Sequence, residues 1–221
     1  MEIQKQKLAP ILFSTPMIQA ILDGRKTMTR RIVPEKIVDK YYEYDDFVTS
    51  VAPRDIPCKR TWEKEFYEER TKYRIGDILW VRETWASATD IPEFDPISGL
   101  EDYSDLFIYR ADFNNGPVDW NWKPSIFMPR EACRIFLEVT DVRAQKLWQL
   151  NEQDAIAEGI ESFRPLPGDG PAATMYRDYT GGPWTPNPLE SFKSLWRSIN
   201  GDWNHDQWVW VYSFKRIEKP E

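Results

Sequence analysis

The sequence predicts an α+β fold, a mostly antiparallel small β-barrel with short flanking helices and long loop insertions. Three observations point to it. Strand-like stretches and short helices intermix without a βαβα rhythm. Neither GxGxxG nor GxxxxGK[ST] occurs, so dinucleotide and P-loop folds are set aside. The 17 prolines outnumber the 10 glycines and gather in the segments without periodicity, as in stiffened loops. At 221 residues the chain is long enough for one domain, 1–221, with a real core. No internal repeat is visible.

Ile11 to Ser14 reads as a short strand. Ser14 or Thr15 can cap a helix with Pro16 in its first turn, where a missing N–H costs nothing, and a body from Met17 to Asp23. Gly24 supplies the left-handed stop. Arg25 to Arg31 reads as a tight turn running into a strand over Met28 to Val33. Residues 34–72 are charged and aromatic without sustained alternation, which predicts an insertion. Ile78 to Trp85 reads as a strand, followed by a second insertion at 86–105 and a strand over Phe107 to Ala111. Ile135 to Val142 alternates as a strand does. Asn151 caps a helix over Glu152 to Glu158 that Gly159 closes. A third insertion is expected at 162–187. Asn187 and Pro188 then open a helix whose Phe192, Leu195, Trp196 and Ile199 form a core-facing stripe. Trp208 to Ile217 ends the chain as a long strand with apolar residues on both faces.

Composition narrows the chemistry. Hydrophobic residues are 41% and charged residues 29%, as in a folded protein. The net charge of −7 argues against a long nucleic-acid duplex as partner and leaves room for a local basic pocket. With His205 the only histidine and Cys58 and Cys133 the only cysteines, no zinc site, disulfide framework or other cofactor is expected. His205, in a polar turn, is expected to be exposed and not catalytic. No signal peptide or membrane span is read, so the expected location is cytoplasmic.

Gly24-Arg25-Lys26-Thr27-Met28-Thr29-Arg30-Arg31 carries four cations and two hydroxyls directly after a helix stop. A solvated basic turn and an anion or polar-heterocycle pocket both fit it. In a regular strand Lys26 and Thr29 face opposite ways, so they share a site only if residues 25 to 27 bend first. Held among Arg25, Arg30 and Arg31 and partly desolvated, Lys26 is expected to lose part of its affinity for a proton and to be able to take the Thr29 proton.

The string LFSTPMIQAILDGRKTMTRR, with GDILWVRETW, WKPSIFMPREACRIFLEVTDVR, EQDAIAEGI and WVWVYSFKRI, resembles ASCH-domain proteins of the PUA-like superfamily, in particular the longer phage and prophage members. The resemblance implies a PUA-like barrel. It covers the barrel core and not the insertions, which make the chain about twice the size such a barrel needs. Small bacterial members hydrolyse the amide of N4-acetylcytidine and related N4-acylcytidines with a lysine, a threonine nucleophile and a glutamate. The motif places these on Lys26, Thr29 and Glu158, and the motif arginine on Arg31. Other relatives are regarded as RNA-binding modules.

What the resemblance implies is therefore a metal-independent amidohydrolase. A second assignment has Glu158 activate water while Lys26 polarises the acyl oxygen. As the end of a short helix, Glu158 faces the unfavourable pole of the helix dipole. Arg25 and Arg31 are candidates for binding substrate. Glu83, if it points inward, needs a partner such as an arginine. Trp80, Trp85 and Tyr109 could stack a base or simply pack in a core. The expected partner is a modified nucleoside or a short single strand of RNA. The alternatives are a non-catalytic ASCH module that binds RNA or a modified nucleotide, and a phage accessory protein that uses the barrel as scaffold. The last expects Tyr41, Tyr42, Tyr44 and Phe47 to form a surface patch.

Overall fold

A computed structural model describes residues 6–51, 59–87, 107–113, 121–166 and 173–220. Its strands are β1 Leu8–Leu12, β2 Met28–Ile32, β3 Ile78–Arg82, β4 Trp85–Ser87, β5 Phe107–Tyr109, β6 Phe136–Lys146, β7 Ser162–Phe163, β8 Met175–Tyr176 and β9 Trp208–Ile217. Its helices are α1 Thr15–Leu22, α2 Glu35–Val51, α3 Lys59–Glu69, α4 Glu152–Ala157 and α5 Pro188–Asn200. No helix among the described residues is long and apolar enough to cross a membrane.

Five strands form one sheet in the order β1-β3-β6-β9-β2. The β3–β6 and β2–β9 pairs are antiparallel, whereas β1 lies parallel to β3 with Leu8 opposite Ile78. This corrects the barrel expectation, since β1 and β2 stand at opposite ends of the order and the sheet is open. Both carry edge character. Pro10 deprives β1 of a backbone donor, and Ile32 of β2 is exposed. Intermixed strands and helices suggest a small barrel, but that pattern does not encode whether the end strands meet.

The chain packs as two compact units, one of Met1–Gly24, Gly76–Glu138 and Lys215–Glu221, the other of Arg25–Ile75 and Val139–Phe214. In the first unit, Ile78, Trp85, Met128, Ala132, Cys133 and Phe136 form the buried cluster. The strand expected over Ile78 to Trp85 breaks at Glu83 and Thr84. There the Glu83 N–H turns to Met128 Sδ (3.1 Å) and the Thr84 carbonyl accepts from Arg110 N (3.0 Å), after which β4 pairs with β5. Ser14 takes the cap position of α1, yet its side chain makes no capping bond. Residues 88–105 of the second expected insertion lie outside the described residues.

In the second unit, Met28, Leu147, Ala155, Ile160, Phe192, Trp196, Val209 and Val211 form the buried cluster. β9, between β6 and β2, buries Val209 to Tyr212 on both faces, as its sequence expects. The expected loop insertion at 34–72 is instead largely helical, as α2 and α3. Ile37, Tyr41 and Tyr44 recur at helical spacing, a stripe hidden in the sequence by dense charge. Tyr41 is buried against Phe66 and Tyr67, so the expected surface patch of four loses that member. Tyr42, Tyr44 and Phe47 remain exposed. In the third expected insertion β7 and β8 pair as a short antiparallel ribbon, and residues 167–172 lie outside the described part.

Candidate active site

The second unit brings together residues far apart in the chain. Gly24, at φ 74°, turns the backbone out of α1 in a conformation that favours glycine. Lys26 then bridges Glu158, Thr27 N–H donates to Ala157 O (2.9 Å), and Phe214 N–H donates to Thr27 O (2.9 Å). The segment is thus fixed between the end of α4 and β9 before β2 begins.

Lys26 is 2% exposed and Glu158 5%. The lysine Nζ donates to Glu158 Oε2 at 2.8 Å and to the Glu158 main-chain oxygen at 2.9 Å. One ammonium therefore neutralises the carboxylate and occupies a carbonyl at the helix end. That resolves the dipole problem posed by an acid at the C-cap.

The other Glu158 oxygen accepts from Arg30 NH1 at 3.0 Å. Arg30 NH2 donates to Asp154 Oδ2 at 2.6 Å, which also accepts from Arg143 NH2 at 2.9 Å. Asp154 and Glu158 are four positions apart, one turn along α4, so both carboxylates meet the same guanidinium. Asn151 caps the helix by accepting from Asp154 N–H at 2.8 Å, which satisfies one of the otherwise unpaired N–H groups of the first turn.

Burial is the strongest influence on Lys26 and pushes its ammonium below the usual lysine value. Glu158 opposes this by charge and hydrogen bond, and the cations of Arg31 and Arg30 reinforce it. Arg31 is likewise pushed down by burial, opposed chiefly by Glu158.

Thr29 is 1% exposed and pairs with Tyr212 across the sheet. Strand alternation places it with Arg31 on the face of β2 opposite to Met28 and Arg30. Its hydroxyl is not drawn into the ion-pair chain. Lys26 and Glu158 are thus in contact, whereas Thr29 is buried without a hydrogen bond to either. Arg25 NH1 donates to Gly159 O at 2.9 Å, just past the turn that ends α4.

The remaining expected site residues lie in the first unit. Glu83, almost fully buried, accepts from Arg134 Nε and NH2, each at 2.9 Å, which supplies the arginine its burial requires. Burial raises the Glu83 carboxyl above the ordinary range against the pull of Arg134. Arg134 also meets Asp112 Oδ2 at 2.7 Å and lies 3.9 Å over the Tyr109 ring. Tyr109 donates its hydroxyl to Ala132 O at 2.7 Å, and burial pushes its phenol up to about 12. Trp85 is buried edge-on to Phe107.

No family model matches the chain, and no curated protein matches it. One solved structure, titled "High resolution crystal structure of ASCH domain from Lactobacillus crispatus JV V101", is similar at 11% identity, with 96% of this chain and 81% of that chain covered and a TM-score of 0.33.

Asp154 and Arg143 escape the sequence reading, and Arg30 enters it only as a neighbouring cation. The Asp154–Glu158 spacing within EQDAIAEG was the available signal, because it places two acids on one helix face that a single arginine can bridge. No group of three or more His, Cys, Asp or Glu side chains suited to a metal ion occurs among the described residues.

Proposed function

We propose that the chain is an ASCH-type, PUA-like module that hydrolyses the amide of an N4-acylated cytosine nucleoside or a related modified base. The observation that supports this is the buried Lys26–Glu158 contact, made between residues 132 positions apart, at the positions the motif assigns to lysine and glutamate. Neutral Lys26 takes a proton from the attacking hydroxyl, which the motif assigns to Thr29. The oxygen adds to the acyl carbon, the carbon–N4 bond breaks, and the lysine ammonium returns its proton to N4. Water then hydrolyses the acyl-enzyme ester and releases the carboxylic acid. Glu158, held by Arg30, orients the lysine amine and balances its transient charge. Arg25, Arg31, Glu83, Trp85 and Tyr109 stay in this reading as candidates for contact with the substrate.

The test is release of acetate from N4-acetylcytidine by the purified protein. Lys26→Met, Thr29→Ala and Glu158→Gln are each expected to lower the rate by about 10²-fold or more while leaving a cooperative thermal transition. No release by the wild type, or undiminished release by folded Lys26→Met, overturns the proposal.

One observation favours a second reading. Both Glu158 oxygens are already engaged by cations, so the chain from Lys26 to Arg143 can serve as architecture in a non-catalytic module that binds RNA or a modified nucleotide. Saturable binding of N4-acetylcytidine without turnover would select it.

A further inference from the structure

Lys26, Glu158, Arg30, Asp154 and Arg143 form one chain of alternating charge, with successive contacts of 2.8, 3.0, 2.6 and 2.9 Å. The proposed hydrolysis uses only the first three. We propose that Asp154 is a positioning residue for Lys26, acting through Arg30 to set how readily the buried amine releases its proton. The inference deepens the hydrolytic reading, in which Lys26 is the base.

Two acids in this chain serve three cations. Arg30 and Arg143 keep their charge, because a guanidinium loses its proton only above about pH 12. Lys26 is therefore the one cation of the three that can respond when the negative charge around it changes. Glu158 is shared, with Oε2 accepting from Lys26 at 2.8 Å and Oε1 from Arg30 at 3.0 Å. Arg30 is shared in turn. Its NH1 serves Glu158 and its NH2 serves Asp154, while its buried Nε has no hydrogen-bond partner among the described residues. These two carboxylates thus balance the guanidinium between them, and the more of it Asp154 holds, the more of Glu158 is left for the lysine.

The coupling runs through a dry region. The Lys26, Arg30 and Glu158 side chains are 0%, 1% and 4% exposed, so water and salt screen their charges little. β2 sets Arg31 as well as Arg30 near Lys26, and Tyr73 and Tyr212 act on Arg31 from the covering side. Arg25 is tied to Gly159 O at the end of α4, and α5 turns the Phe192 ring to Arg30 at 5.7 Å. Asp154 is fixed by Arg143 NH2 on its carboxylate and by its own N–H on Asn151 Oδ1. Arg143 reaches Asp141 at the solvent edge, so β6 ties the far end of the chain.

The test is titration of the Lys26 Nζ signal by heteronuclear NMR in the folded, lysine-labelled whole chain, a measurement that needs no turnover. Asp154→Asn removes a negative charge and frees Arg30 to compete for Glu158, so the midpoint is expected to fall by about one pH unit. Arg143→Gln acts with the opposite sign. It leaves Asp154 to Arg30 alone, and the midpoint is expected to rise, by less because Arg143 is 29% exposed. That exposure also makes it the variant that decides the matter if Asp154→Asn does not fold. Glu152→Gln, exposed on the same helix, is expected to leave the midpoint in place. An Asp154 with a structural role alone would lower stability without moving the amine in folded protein. A midpoint that Asp154→Asn leaves unmoved or raises, that Arg143→Gln fails to raise, or that Glu152→Gln lowers as far as Asp154→Asn does overturns the proposal. Absence of acetate release from N4-acetylcytidine with these shifts intact removes the hydrolytic reading and leaves the coupling standing.

Discussion

A lysine buried to 2% exposure beside two arginines is a different acid from a lysine in water. Desolvation and the Arg31 charge both disfavour its ammonium, and Glu158 recovers only part of that. If neutral Lys26 is the base, kcat/KM for N4-acetylcytidine rises with pH through the lysine's lowered pKa. Removing the Arg31 charge raises that pKa, so Arg31→Gln is expected to move the rise to higher pH; a pH–rate profile of both proteins checks it. Cys133 is a simpler case. It is buried, and its Sγ donates to Ile135 O at 3.3 Å. Burial pushes its thiol up, so little thiolate forms at mildly alkaline pH. Iodoacetamide is expected to label it only after denaturation, as read by peptide mapping. At this scale the direction at Lys26 was legible, since partial burial and neighbouring cations both disfavour an ammonium, but not that burial would outweigh the cations or that only Arg31 and Arg30 would act among them. The sequence did not reveal that Thr29 is buried without a hydrogen bond to either member of the pair, because whether a bend precedes a strand depends on what holds the backbone, here Ala157 and Phe214.

Helix α4 is one and a half turns long and owes its place to its ends. Asn151 closes one, while Lys26 and Arg25 occupy carbonyls at the other. Between them Arg30 serves two carboxylates in a site nearly closed to water. Replacing it by methionine keeps much of the volume but leaves both acids without that partner. Arg30→Met is therefore expected to cost about 3–5 kcal/mol in urea unfolding, far beyond a surface pair. Helix α5 offers a milder case. Asn187 Oδ1 accepts from Leu189 N–H at 2.9 Å. Asn187→Ala is therefore expected to cost about 1 kcal/mol. α5 was legible in its cap, proline and glycine stop and in the buried Phe192 and Trp196, whereas Ile199, expected on the same core-facing stripe, is exposed. α2 and α3 were not legible, since charges interleave with their apolar and aromatic residues and obscure the period.

At the scale of the whole molecule the long strand β9 was legible to the residue, because tryptophans and valines alternate where both faces are covered. Closure of the sheet was not. It depends on whether β1 and β2 meet, and no residue in either strand records its distant neighbour. The net charge of −7 also acts at this scale, by repelling phosphate wherever it is not locally offset. A short DNA duplex is expected to show no retention at physiological salt in an electrophoretic shift, whichever reading of the site holds.

The proposed chemistry and the architectural alternative divide on the proton affinity of one amine. Titration of the Lys26 Nζ by heteronuclear NMR in folded, lysine-labelled protein, with Lys26→Met to assign the signal, measures it directly. The expected result is a midpoint clearly below 10.5, the ordinary lysine value. A signal that stays protonated up to or beyond that value contradicts a base at Lys26 and leaves the buried pair a structural clamp.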